Sequence, residues 1–222
     1  MFLRMMAERG DFAVVHEPLS HVKDFGSAEV LDRHCADADA VLAAILELGA
    51  QQPLFVKDTT DFHYPEVLAT EAFLTGVRHT FIIRHPRDAI ASHFGLNPDL
   101  QRDEIGFAWL REIYDAVAAA TGETPVVLDA DEVVADPATA VERYCAAVGI
   151  PFLPEALEWE PGTIEQWNRT KRWHTDVADS AGIQPGRSSR PKIDVDGHPV
   201  LGGYYRFHLP HYEWLHARRL KV

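Results

Sequence analysis

The chain has 222 residues, 46% of them hydrophobic and 25% charged, and a formal net charge of -13. This is a globular composition, long enough for a sizeable single core, and it excludes the disordered, collagen-like and fibrous classes. The acidic balance argues against a nucleic-acid binder, whose footprint would be basic, yet leaves room for a local basic pocket that takes a small anion. Two cysteines, Cys35 and Cys145, exclude a disulfide framework and a CxxC metal pattern, so a reducing cytoplasm is the expected location. No apolar run reaches the roughly 18 residues of a membrane span. The opening MFLRMMAERG is too short and too charged for a signal peptide.

In chain order, FLRMMAERG predicts a helix ending at Gly10. FAVVHEP predicts a buried strand stopped by Pro18, and residues 27–48, rich in Ala and Leu at helical spacing, predict a helix ending at Gly49. PLFVKD is the next strand, and PEVLATEAFL a helix with Pro65 in its first turn. HTFIIR predicts a third strand and DAIASHF the helix after it. IGFAWLREIYDAVAAATG is a long amphipathic helix closed by Gly122. TPVVLDADEVV begins as a strand and turns at Asp129–Asp131, and PATAVERYCAAVG is helical from Pro137. Strands alternating with helices predict an α/β domain: a mainly parallel sheet with helices on both faces. The segment 151–222, rich in Pro, Trp, His and Arg, has weak periodicity. It reads as an irregular C-terminal lid or wrap on a single domain spanning 1–222.

The informative stretch is FIIRHPRDAIASHF. Ligands of open α/β sheets gather beyond the carboxyl ends of the strands, and Arg84 falls at such an end. Pro86 suits the first turn of the following helix, whose amides then favour an anion. Ser92, eight residues after Arg84, can face back toward that corner. Arginine offers a planar fork that matches phosphate oxygens. The alternative is an ordinary corner in which Arg84 and Arg87 are solvated or pair with Asp88.

This stretch resembles the 3′-phosphate motif of sulfotransferases that use 3′-phosphoadenosine 5′-phosphosulfate (PAPS): strand, Arg, x, Pro, Arg-Asp, then Ser eight residues after the first Arg. FAVVHEPLSH, PLFVKD, KRWHTDVADSAGI and HYEWLHARRL are similar to further segments of bacterial members, so the likeness covers most of the chain. It implies the P-loop-type sulfotransferase fold and transfer of a sulfuryl group from PAPS to a hydroxyl or amine of a small molecule, with PAP as product. Arg84 and Ser92 match the residues that hold the 3′-phosphate. MFLRMMAERG resembles the helix that follows the family's 5′-phosphosulfate loop, so that loop and the strand before it are expected to be missing. The implied alternative is a truncated or non-catalytic homologue that binds PAP-like nucleotides or a partner protein. Sheet edges opened by that absence would invite pairing between copies of the chain.

Sulfuryl transfer needs a held donor, a neutralised leaving group and a base for the acceptor. The family's lysine-x-histidine spacing fails here, because the nearest His after Lys57 is His63, which is the first choice for base by location alone. Asp58 and Asp61 are alternatives. Glu17 lies at a strand's carboxyl end and can act as base or orient the acceptor, and Lys57 can neutralise the leaving oxygen. The tail cations Arg187 and Arg190, with Lys192, are candidates to close over the 3′-phosphate. His174 is a candidate for meeting the acceptor, its simpler reading being a packed imidazole–indole pair. The twelve histidines form no HExxH or Cys/His cluster, so no metal is expected.

Overall fold

The computed structural model describes residues 1–184 and 193–222. Arg187, Arg190 and Lys192 therefore lie outside the described residues. The elements run α1 Phe2–Glu8, β1 Ala13–His16, α2 Pro18–Phe25, β2 Ala28–Val30, β3 Arg33–Cys35, α3 Ala38–Gly49, β4 Leu54–Lys57, α4 Pro65–Ala69, α5 Glu71–Gly76, β5 Thr80–Ile83, α6 Pro86–Leu96, α7 Phe107–Thr121, β6 Val126–Asp129, α8 Ala130–Ala135, α9 Pro137–Val148, α10 Thr175–Ala178 and α11 Leu201–His216. The mixed α/β order with parallel strand pairs matches the expected fold class. No described helix is long and apolar enough to cross a membrane.

The chain divides into two compact units. The first comprises Met1–Thr59, Tyr64–Val77 and Pro151–Gln184. Its β1 and β4 pair in parallel, from Ala13 opposite Leu54 to His16 opposite Lys57. Val14 packs there with Leu3 of α1 and with Trp167 from the C-terminal segment, and Phe12 and Phe55 flank them. Between the two strands, α3 buries Val41, Leu42, Ala44, Ile45 and Leu48 along one face. Its N-cap Asp37 accepts the Ala40 amide at 2.8 Å.

The single helix expected over residues 27–48 is corrected. Residues Ala28–Val30 and Arg33–Cys35 form an antiparallel pair, turned through Leu31 at φ 56. Ala28, Val30 and Cys35 are buried while Glu29, Arg33 and His34 are exposed. The two-residue period of a half-buried pair therefore wins over the helical spacing of the Ala and Leu residues that follow. PEVLATEAFL also divides, at Thr70 (φ -100, ψ 86). The Thr70 hydroxyl donates to the Glu66 carbonyl at 2.7 Å, while the Thr70 carbonyl starts α5 by accepting the Phe73 and Leu74 amides.

The second unit comprises Thr60–His63, Arg78–Ile150 and Pro185–Val222. Parallel β5 and β6 run from Thr80 opposite Val126 to Ile83 opposite Asp129. Phe81, Ile83 and Val127 pack with Phe107 and Tyr114 of α7 and with Tyr212 and Leu215 of α11. The tail is thus not irregular throughout, because Leu201–His216 is a core helix. Its signal is masked by Pro210 inside it and by the paired glycines at its first turn.

Gly106 joins the 3-10 turn Arg102–Ile105 to α7 at φ 78. A Cβ there would collide with the carbonyl oxygen and hydroxyl of Thr60. Gly106→Ala is therefore expected to cost about 2–4 kcal/mol, from overpacking plus left-handed strain. Urea denaturation checks this, and an unchanged midpoint would show that the contact yields.

Candidate active site

Parallel strands deliver the residues that follow them to one edge of the sheet, and in both units that edge carries charge. In the first unit His16 ends β1, Lys57 ends β4, and the two are register partners. Glu17 follows with a left-handed backbone, φ 50 and ψ 46. For a residue with a Cβ that conformation costs about 1–2 kcal/mol and persists only where surroundings enforce it. Here the Glu17 amide donates to the Lys57 carbonyl at 2.6 Å, and Pro18 begins α2 directly afterwards. The carboxylate meets the Lys57 ammonium through Oε1, and its Oε2 lies 3.5 Å from His16 Nε2. Burial pushes the Glu17 carboxyl up, but the charge and hydrogen bond of Lys57, with His16 and His174, together hold the group below the usual carboxylate range.

His16 is only 4% exposed. Its Nε2 lies 2.9 Å from His174 Nε2 and 3.2 Å from Thr170 Oγ1. Its Nδ1 is buried without a hydrogen-bond partner among the described residues. The His174 ring stacks on Trp167, centroids 4.8 Å apart at 20°. Burial lowers His16 to about 3 and His174 to about 4; Glu17 opposes the shift in each and Lys57 adds to it. Both imidazoles are therefore neutral near pH 7.

Asp58 caps a helix. It accepts the Leu19 amide at 2.7 Å, the Ser20 amide at 3.2 Å, the Thr59 amide at 3.0 Å and the Ser20 hydroxyl at 2.7 Å. Two of those amides belong to the first turn of α2, which has no cap from its own N-cap side chain.

In the second unit Arg84 follows β5 directly, half-buried, before α6. Pro86 is the first residue of α6, and the N-cap residue His85 makes no side-chain cap bond. Ser92 lies on α6, half-buried. Arg87 is not part of the corner's charge: it forms a two-pronged pair with Asp196, 2.9 Å from Nε and 3.2 Å from the second guanidinium nitrogen. His63 also belongs to this unit. It lies on the Trp109 ring at 4.2 Å, and its Nε2 is 2.7 Å from Glu112 Oε2.

Of the residues singled out from sequence, Glu17 and Lys57 are in contact, while Arg84 precedes α6 and Ser92 lies on it. His63 has Glu112 as a partner within its own unit. Arg169 donates to the Ser27 carbonyl at 3.0 Å and lies over the Phe25 ring. His174 does pack on an indole, but on Trp167 rather than its neighbour Trp173. Sequence reasoning assigned no role to His16. The available signal was a histidine ending the apolar run AVV, where a side chain at a buried strand terminus must find a polar partner.

The chain spans a third to about half of the curated relatives it matches. A protein of Arabidopsis thaliana named branched-chain-amino-acid aminotransferase-like protein 1 is 30% identical over 191 residues, covering 80% of this chain and 33% of that protein. Sulfotransferase ppzF of Metarhizium majus is 28% identical over 194 residues, covering 70% of this chain and 56% of that protein. No solved structure matches the chain with significance. The family model described as a sulfotransferase domain matches residues 1–219. That match takes in both charged strand ends and the helices α1 to α11 that frame them, and the chain belongs to the sulfotransferase domain family.

Proposed function

We propose that the protein transfers a sulfuryl group from PAPS to a hydroxyl or amine of a small molecule. The observation that carries this reading is the pairing of Lys57 with a strained, half-buried Glu17 at the carboxyl ends of two parallel strands. PAPS, when bound, supplies the sulfuryl group, and PAP leaves. The residue types present fit such a ligand: Arg84 follows β5 just ahead of α6 and Ser92 lies on that helix, a guanidinium and a hydroxyl suited to a 3′-phosphate. Within the first unit, Lys57 offers a positive charge suited to a leaving oxygen that gains negative charge. The acceptor's oxygen or nitrogen gains the sulfur, and its proton passes to a base. Glu17 suits that role because it is ionised at rest. It replaces His63 as first choice, since the His63 ring lies on Trp109 and bonds Glu112.

The experiment is transfer of labelled sulfate from PAPS by the full chain to a panel of phenols, alcohols and amines. Transfer is expected, falling by about 10²–10⁴-fold in Glu17→Gln, with His63→Ala retaining more activity than Glu17→Gln. PAP binding without transfer to any acceptor would favour a nucleotide-binding homologue that lacks turnover.

A further inference from the structure

We infer that His174 binds the acceptor molecule: its Nδ1–H donates to an oxygen of the small molecule whose reacting hydroxyl or amine meets Glu17. This deepens the proposed function and rests on the reading of Glu17 as the proton acceptor. Lys57, His16 and His174 are the groups whose charge acts on Glu17. His16 is buried and Lys57 is engaged by the Glu17 carboxylate, whereas His174 is half-buried and can meet a ligand. The proton positions follow from the contact between the two rings. Their Nε2 atoms are 2.9 Å apart, so one of the two carries a proton and the other accepts it, since two lone pairs or two N–H groups repel at that separation. Both imidazoles are neutral near pH 7, with one N–H each. A proton on His174 Nε2 would force the His16 proton onto Nδ1, which is buried without a partner among the described residues. A buried donor left without an acceptor is costly, and orphaned donors are rarer than unused lone pairs. His16 therefore donates from Nε2, His174 accepts at Nε2, and the His174 proton sits on Nδ1. Thr170 Oγ1, 3.2 Å from His16 Nε2, faces the same His16 N–H and leaves that assignment unchanged.

Packing holds the His174 ring in this arrangement. One face stacks on Trp167, which is itself buried against Leu3 and Val14. Thr170 and His174 both meet His16 Nε2, so the turn Lys171–Trp173 between them is pinned at each end to the last residue of β1. Nδ1 of His174 makes no hydrogen bond among the described residues, so its N–H is left for a ligand. A molecule that sets its hydroxyl or amine against Glu17 and a second oxygen against this N–H is held at two points. The acceptor class that fits is therefore a hydroxyl or amine with an oxygen lone pair close by. Phenol lacks that oxygen. Catechol has it, and so does 2-methoxyphenol, whose second oxygen can only accept a hydrogen bond.

Two readouts on the full chain test this. In wild type, nitrogen-15 NMR is expected to show a protonated Nε2 on His16 and, on His174, a bare Nε2 with a protonated Nδ1. A proton on His174 Nε2 would overturn the inference. Calorimetric titration with phenol, catechol and 2-methoxyphenol reads the contact itself. Wild type is expected to bind the latter two about tenfold more tightly than phenol, the size of one added hydrogen bond. Equal binding of all three would sink the idea, and a gain for catechol alone would mean that His174 accepts and does not donate. His174→Leu is expected to lose the preference with little change in phenol affinity. His174→Asn, whose amide nitrogen occupies nearly the Nδ1 position, is expected to regain part of it. A preference that survives in His174→Leu would assign the second oxygen to another group. Urea midpoints separate lost contact from lost fold in the variants, and the wild-type readouts need no variant. Where transfer is measured, His174→Leu is expected to raise KM for catechol about tenfold with an unchanged KM for PAPS. Neither main readout needs turnover, so the preference without any sulfuryl transfer would count against the reading of Glu17, and transfer without the preference against His174 alone.

Discussion

Arg84→Ala is expected to weaken PAP binding by about a hundredfold or more, roughly 3 kcal/mol, as read by calorimetry. The size follows from placement. Arg84 follows β5 between the buried Ile83 and Pro86, so its backbone is already held when a phosphate arrives. It sits beside helix amides that favour the same charge, and a two-pronged guanidinium–phosphate contact is among the stronger hydrogen-bonded pairs. Arg84→Lys keeps the charge and loses the fork, so an intermediate loss is expected. Ser92→Ala removes one hydroxyl donor and is expected to cost about tenfold. A urea midpoint measured on each variant separates lost binding from lost fold. Undiminished PAP affinity in Arg84→Ala, with the fold intact, would remove this residue from the site.

That corner was legible because its signal is local. A strand, an arginine, a proline at the first helical position and a serine two turns on are all adjacent in sequence, and local order fixes their placement. The same is true of β1, β4, β5 and β6, each an apolar run bounded by a proline, a charge or a turn. Elements whose form depends on distant partners were not legible. Residues Ala28–Cys35 form a hairpin because alternate side chains are buried, which the Ala- and Leu-rich run after them conceals. The helix Leu201–His216 is held by Tyr212 and Leu215 against strands more than eighty residues earlier, and Pro210 hides it locally. The His16 cluster joins the end of β1 to residues more than 150 positions away, so nothing near His16 announces its partners. Asp58 looked like a base because it follows Lys57, whereas its acceptors' partners lie on α2, nearly forty residues upstream.

Asp58→Ala is expected to destabilise the protein by on the order of 3–5 kcal/mol. The side chain satisfies three backbone amides and one hydroxyl, and each buried donor left without an acceptor costs about 1–3 kcal/mol. A loss of that size is a large fraction of the net stability of a typical domain, about 5–15 kcal/mol. The pH dependence gives a second measurement. Burial pushes the Asp58 carboxyl up from its ordinary 3.8 to about 6, with the Ser20 hydroxyl and the Leu19 and Thr59 amides pulling it the other way. Its folded value is thus above its unfolded one, so folding takes up a proton between those two values. The resulting contribution to stability is full below pH 3.8 and is lost as pH rises through about 6. Urea midpoints of wild type across that window should therefore fall with rising pH by more than those of Asp58→Asn, which keeps one acceptor oxygen and cannot titrate. Parallel slopes would mean that the amides hold Asp58 ionised throughout. The cap also bears on the chemistry, because Glu17 is the residue on which α2 begins and Lys57 immediately precedes Asp58. Loosening the first turn of α2 releases the left-handed backbone that turns Glu17 toward Lys57. Asp58→Ala should therefore lose transfer activity at temperatures well below its own unfolding midpoint, whereas a cap that served stability alone would leave activity intact until the protein melts.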